Sequence, residues 1–108
     1  MLISETREAA LARLGRALAD PTRCRILVAL LDGVSYPAQL ASRLELSRSN
    51  VSNHLACLRG CGLVIATYEG RQVRYAIADP HLARALSELT QVVLAVAPTE
   101  ACVEETAR

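Results

Sequence analysis

With 108 residues, 52% of them hydrophobic, the chain makes one domain with a modest core, and domains of this size often gain stability by pairing as homodimers. A formal net charge of +1 is not by itself a nucleic-acid signature, no apolar run approaches the roughly 18 residues of a membrane helix, and the N-terminus lacks a signal-peptide pattern. A soluble, cytoplasmic protein is expected, in whose reducing surroundings four cysteines are thiols for metal, redox chemistry or packing rather than a disulfide framework.

Residues 5–19 place Ala10, Leu11, Leu14, Ala17 and Leu18 at helical spacing between charged positions, which predicts an amphipathic first helix. Asp20-Pro21 restarts the chain, Asp20 as cap and Pro21 in the first helical position. This second helix, running to about Leu31, is expected to bury Cys24, Leu27, Val28 and Leu31 along one side before Asp32-Gly33 ends it. A short third helix begins at Ser35 or Tyr36, with Pro37 in its first turn and Leu40 and Leu44 facing inward.

Only Glu45-Leu46-Ser47 separates it from a fourth helix, predicted over 48–61, in which Ser47 caps, Arg48 is the first helical residue and Gly62 makes the left-handed stop. A helix, a turn of three or four residues and a second, polar-faced helix is the helix-turn-helix arrangement. Val51, Leu55 and Leu58 form one apolar stripe of the fourth helix, while Ser49, Ser52, Asn53 and Ala56 fall on the far side. That far face is short and polar, which suits close approach to a DNA major groove. Cys57 and Cys61, with Asn50 and His54, make a flank about a right angle from the stripe, where a core cysteine would not normally sit.

After Gly62 the period changes to that of strands: 63–69 and 72–77 are β-rich runs joined around Gly70-Arg71, a hairpin of the kind called a wing. Arg71 at its tip suits phosphate or minor-groove contact; Arg74, close behind, is either a second contact or a solvated hairpin residue. The charge supports this placement. Between 47 and 78 the chain carries Arg48, Arg59, Arg71 and Arg74 against Glu69 alone, whereas Glu100, Glu104 and Glu105 crowd the tail. Asp79-Pro80 then opens a last helix whose Leu82, Leu86, Leu89, Val93 and Val96 form a coiled-coil-like seam able to pair with the first helix, with its own copy in a second subunit, or with both. The expected organisation is a dimeric winged helix-turn-helix domain over 1–96, mainly α with one β-hairpin and paired through its first and last helices, followed by a tail over 97–108 that carries Cys102.

The Ala19-Asp20-Pro21-Thr22-Arg23 entry to the second helix, the Ser49-Asn50-Val51-Ser52-Asn53-His54-Leu55 core of the fourth and the Gly70-Arg71 wing resemble the ArsR/SmtB family of metal-responsive repressors over about residues 5–95. Cys57, Cys61 and Cys102 look like the branch of that family that senses cadmium and lead. The resemblance implies a homodimer that sits on double-stranded operator DNA and leaves it when one soft ion, cadmium or lead, binds each three-cysteine site. It also implies that Cys102 reaches the Cys57 and Cys61 pair of the other subunit. The third helix lacks the cysteine pair of other branches, and Val92 stands where a zinc site on the last helix would need a histidine, so His81 is read as an ordinary early-helix residue.

The chemistry of the thiols agrees with this. Side chains four apart on a helix have Cβ atoms about 5–6 Å apart. That separation permits two thiolates to share one ion and opposes a disulfide, which wants about 3.5–4.5 Å. Three sulfurs without a good fourth ligand suit a large soft ion better than structural zinc. His54 is a possible nitrogen donor, but a polar helix residue near DNA is the plainer assignment; Cys24 lies on an apolar side and is assigned to packing. The candidate DNA contacts are Arg48, Ser49, Asn50, Ser52, Asn53, His54, Arg71 and Arg74. A thiol-based redox-sensing repressor and a winged-helix interaction module without DNA binding are the alternatives; no phosphate loop or acid pair supports an enzyme.

Overall fold

A computed structural model describes residues 5–92; Val93, Val96 and Cys102 lie outside that range. The order of elements is α1 (Arg7–Leu18), α2 (Pro21–Leu31), α3 (Pro37–Leu44), α4 (Arg48–Gly60), β1 (Val64–Glu69), β2 (Gln72–Ile77) and α5 (Pro80–Leu89). The expected order of elements and wing are present, with helix ends within a few residues except in α5. That helix closes at Leu89, with Thr90 as its cap and the Thr90 hydroxyl donating to the Ser87 carbonyl at 2.6 Å, so Leu82, Leu86 and Leu89 are the part of the expected seam that it carries.

The caps follow the sequence signals. Asp20 accepts from the Thr22 and Arg23 backbone N–H groups at 2.8 and 3.1 Å, and Ser47 Oγ accepts from Asn50 N–H at 3.0 Å. α4 ends in a Schellman-type turn in which Leu63 N–H reaches the Leu58 carbonyl at 3.0 Å, and Gly62 supplies the left-handed φ of 82°. The same closure ends α3 through Leu46 N–H and the Ala41 carbonyl at 2.9 Å, here with Glu45 itself left-handed at φ 58°. This sharp turn is what throws α4 across α3.

α2 is the hub, packed by α1, α3, α4, α5 and β2. Its buried residues are Ile26, Leu27, Ala29 and Leu30, so the expected stripe of Cys24, Leu27, Val28 and Leu31 is only partly right. Val28 is 43% exposed, and Cys24 and Leu31 are half-buried. The helix is apolar nearly all round, and periodicity cannot choose which side of such a helix meets the larger number of neighbours. The core is completed by Ala17, Leu40, Ala41, Val51, Leu55, Leu58, Leu63, Val64 and Leu86. Leu11, Leu89 and Val92 stay exposed, at 67%, 52% and 55%.

The wing is a two-stranded antiparallel sheet in which Glu69 pairs with Gln72 around Gly70-Arg71. A φ of 62° at Gly70, with Arg71 outside the left-handed region, is the arrangement of a type II′ hairpin turn. Tyr75 N–H donates to the Ser35 carbonyl at 2.8 Å, stitching β2 to the segment that enters α3.

Two stability measurements test this packing. Leu55 is 1% exposed, and Leu55→Ala is expected to cost about 2–5 kcal/mol in urea unfolding. Removing the cap with Asp20→Ala should cost about 1 kcal/mol at neutral pH. The Arg23 and Thr22 amides hold the Asp20 carboxyl below its ordinary range, so its stabilisation is present above the unfolded value and lost as pH falls through the folded one. The gap between wild type and Asp20→Ala should therefore close in acid.

Candidate nucleic-acid interface and thiol pair

α4 is held to the core by Val51, Leu55 and Leu58, each at most 1% exposed, and this fixes what its other sides present. Arg48, Ser49, Ser52 and Asn53 are exposed, while Asn50 and His54 are half-buried at the margin. Arg48 and Ser52 line one side of a cleft of about 340 Å³, and Arg71 and Gln72 of the wing line the other, with Tyr36 and Tyr75 between them. Two arginines more than twenty positions apart in the chain thus face one concave surface.

Arg74 is placed differently from Arg71. Its Nε donates to Glu69 Oε2 at 3.0 Å, and Tyr36 Oη donates to the other oxygen, Oε1, at 2.7 Å. The Tyr36 hydroxyl and the Arg74 guanidinium hold the Glu69 carboxyl below the usual carboxylate range, so the cluster persists at neutral pH and loosens only in acid. Glu69 therefore ties the wing to the start of α3 and engages the charge of Arg74.

The two cysteines at the end of α4, Cys57 within it and Cys61 as its cap, are both free and differ in setting. Cys57 is exposed; Cys61 is half-buried against the core. Gly60 and Gly62 flank Cys61, yet its side chain is only partly accessible. α4 ends at Gly60, and Cys61, as its cap residue, packs against the core. Arginines from outside α4 approach both positions. Arg23 Nη1 donates to Cys57 Sγ at 3.2 Å, and Arg13 Nη1 donates to the Cys61 carbonyl. Among the described residues no three His, Cys, Asp or Glu side chains converge as a metal cage, so His54 does not complete one with the two thiols. Cys24, assigned to packing, is only half-buried: its thiol donates to the Leu18 carbonyl at 3.1 Å, and burial pushes its pKa up, which disfavours the thiolate a metal needs.

Arg13, Arg23, Tyr36 and Glu69 were not singled out from the sequence as site residues. Their partners lie 48, 34 and 33 positions away, and no local pattern encodes such meetings.

An anchored polar helix after a tight turn, flanked by a hairpin with an arginine at its tip, defines a winged helix-turn-helix transcriptional regulator. The model for bacterial regulatory proteins of the arsR family matches residues 20–66, which span α2 through the start of the wing. A transcriptional regulator of Mycobacterium bovis, CmtR, is 78% identical over 107 residues, covering 99% of this chain and 91% of its own. The solution structure of the cadmium metal-sensor CmtR from Mycobacterium tuberculosis superposes with a TM-score of 0.68 at 81% identity, over 84% of this chain and 95% of that one. A homodimeric winged helix-turn-helix DNA-binding domain from Mycobacterium bovis gives 0.72 at 30% identity, over 84% and 88% of the two chains. This chain belongs to the arsR family of bacterial transcriptional regulators. Among its described residues no helix is long and apolar enough to cross a membrane.

Freeing Arg74 tests the wing. In Glu69→Gln the guanidinium should become available to phosphate, raising DNA affinity at low salt and steepening the salt dependence by about one phosphate contact. An unchanged slope in filter-binding titrations would show that Arg74 has no reach to DNA.

Proposed function

We propose that the protein is a metal-responsive repressor that binds operator DNA as a homodimer and releases it when cadmium or lead binds Cys57, Cys61 and Cys102. The observation that carries this reading is the position of Cys57 and Cys61 one turn apart at the end of the same helix whose exposed face is fitted to DNA. Effector ligands on the reading helix itself give metal a direct hold on the reading geometry.

Arg48, Ser49 and Asn53 are the residues nearest base edges, with Asn50, Ser52 and His54 beside them and Arg71 on the phosphate backbone. Arg74 joins them only if Glu69 lets it go. Cys57 and Cys61 supply two sulfurs, and Cys102 of the tail is the third; a set of three sulfurs suits a large soft divalent ion. The cadmium sensor at 81% identity supports that choice of metal. Leu11, Leu89 and Val92, exposed on the first and last described helices and just beyond, suit burial in a homodimer, and the homodimeric relative supports that assembly. Residues 1–96 then form the dimeric DNA-binding domain, 97–108 the ligand-bearing tail, and the cytoplasm is the compartment where such a regulator meets its operator.

Metal ties the end of each reading helix to a distant part of the dimer, and the resulting rotation or rigidity spoils its fit to successive major grooves. The coupling is reciprocal, so operator DNA weakens metal binding by the same factor.

Operator affinity measured at fixed salt should fall on adding cadmium, and Cys57→Ser or Cys61→Ser should abolish that response while leaving metal-free binding nearly intact. No change on adding cadmium to the wild type would sink the proposal. Since thiolate ligands give up protons on binding, metal affinity should weaken as pH is lowered. Release of DNA by peroxide but not by metal would point instead to a redox sensor built on the same thiols. Arg71→Ala should weaken binding to all sequences alike and flatten the salt slope by about one unit.

A further inference from the structure

We infer that Arg23 is a positioning residue for the thiol site: its guanidinium holds the Cys57 sulfur and links it to the carbonyl end of α1. This rests on the proposal that Cys57 is a metal ligand.

Arg23 stands in the first turn of α2, where its backbone N–H is already fixed by the Asp20 carboxylate at 3.1 Å. Its side chain is engaged in three directions. Nε donates to the Ala17 carbonyl at 3.2 Å, Nη2 to the Arg16 carbonyl at 3.3 Å and Nη1 to Cys57 Sγ at 3.2 Å. The first two acceptors belong to the last turn of α1, the negative end of that helix, which favours a cation. A planar guanidinium held by two carbonyls has little freedom left, so its third direction is aimed rather than sampled. It is aimed at the exposed cysteine of α4.

Three thiolates around a divalent ion carry one net negative charge, which a guanidinium donating to one of the sulfurs offsets. Partners that hydrogen-bond a metal ligand orient it and tune its donor strength, and their loss typically lowers affinity 10–100-fold. Arg23 meets that description for Cys57. It also gives the sulfur a mechanical connection: α4 touches the end of α1 through this guanidinium, while Arg13 makes a second link from α1 to the Cys61 carbonyl. A metal ion pulling on Cys57 Sγ therefore loads α1 as well as α4.

The test uses the full chain, cadmium alone as probe, chelator competition for affinity and the sulfur-to-cadmium charge-transfer band as a signature of the sulfurs. Arg23→Met should weaken cadmium binding about tenfold or more and shift the band. Arg23→Lys, which keeps the charge but cannot span two carbonyls and a sulfur, should give the same band shift with a smaller loss of affinity. Arg25→Met is the control, because Arg25 is on the same helix and donates to the Leu44 carbonyl at 2.7 Å without touching sulfur; it should leave both readouts at wild-type values. If Arg23→Met loses its cooperative melt, Arg23→Lys decides. Affinity within about twofold of wild type with an unmoved band, in whichever Arg23 variant folds, overturns the inference. Wild-type affinity in Cys57→Ser would instead overturn the assignment of Cys57 as a ligand, so the two failures are distinguishable.

Discussion

The seating of Val51, Leu55 and Leu58 against the core is the contact on which the rest of the molecule depends. Those three side chains are essentially without solvent exposure, and they hold one side of α4 immobile. A helix so gripped has its other sides specified by geometry alone: the polar face of Arg48, Ser49, Ser52 and Asn53 must point outward, and Cys57 must emerge at the flank. Without that grip the helix could roll, and neither a groove-reading face nor a thiol pair would have a fixed address. The polar face and the thiol pair thus draw on one source of rigidity.

The same grip also sets what surrounds the two cysteines. The cysteines occupy the end of α4, where the helix gives way to Gly62 and the wing, and where arginines from α1 and α2 make their contacts. A load applied there acts at the joint between the reading helix, the hairpin and the first helix. The wing is fastened at two further points, by Tyr75 N–H on the Ser35 carbonyl and by Tyr36 on Glu69, which tie it to the entry to α3. Reading helix and wing tip therefore face their shared cleft as one unit.

The packing of α2 gives the fold its economy. Five elements surround it, and Cys24, Val28 and Leu31 on the side left over form, with Leu86 and Leu89 of α5, an apolar groove of about 210 Å³. Exposed apolar residues on α1 and α5 continue that character outward. The described residues by themselves leave this apolar surface uncovered, the kind of patch that marks an interaction site.

Much was written in local chemistry. Asp20-Pro21, Ser47, Gly62, Gly70 and Asp79-Pro80 announce caps, stops and the hairpin turn because each needs only its near neighbours to act, and every one of these signals is met by the structure. The stripe of α4 was legible too, since a helix with one apolar side has one way to face a core. What the sequence left open was decided by contacts between distant segments. Which side of the nearly all-apolar α2 is buried depends on how many neighbours arrive there. Whether Arg74 is free depends on Glu69 and Tyr36, and how open each cysteine is depends on where α4 stops and on what Arg13 and Arg23 reach. Spacing fixes a residue's place on its own helix; only the packing of helices against one another determines what that place touches.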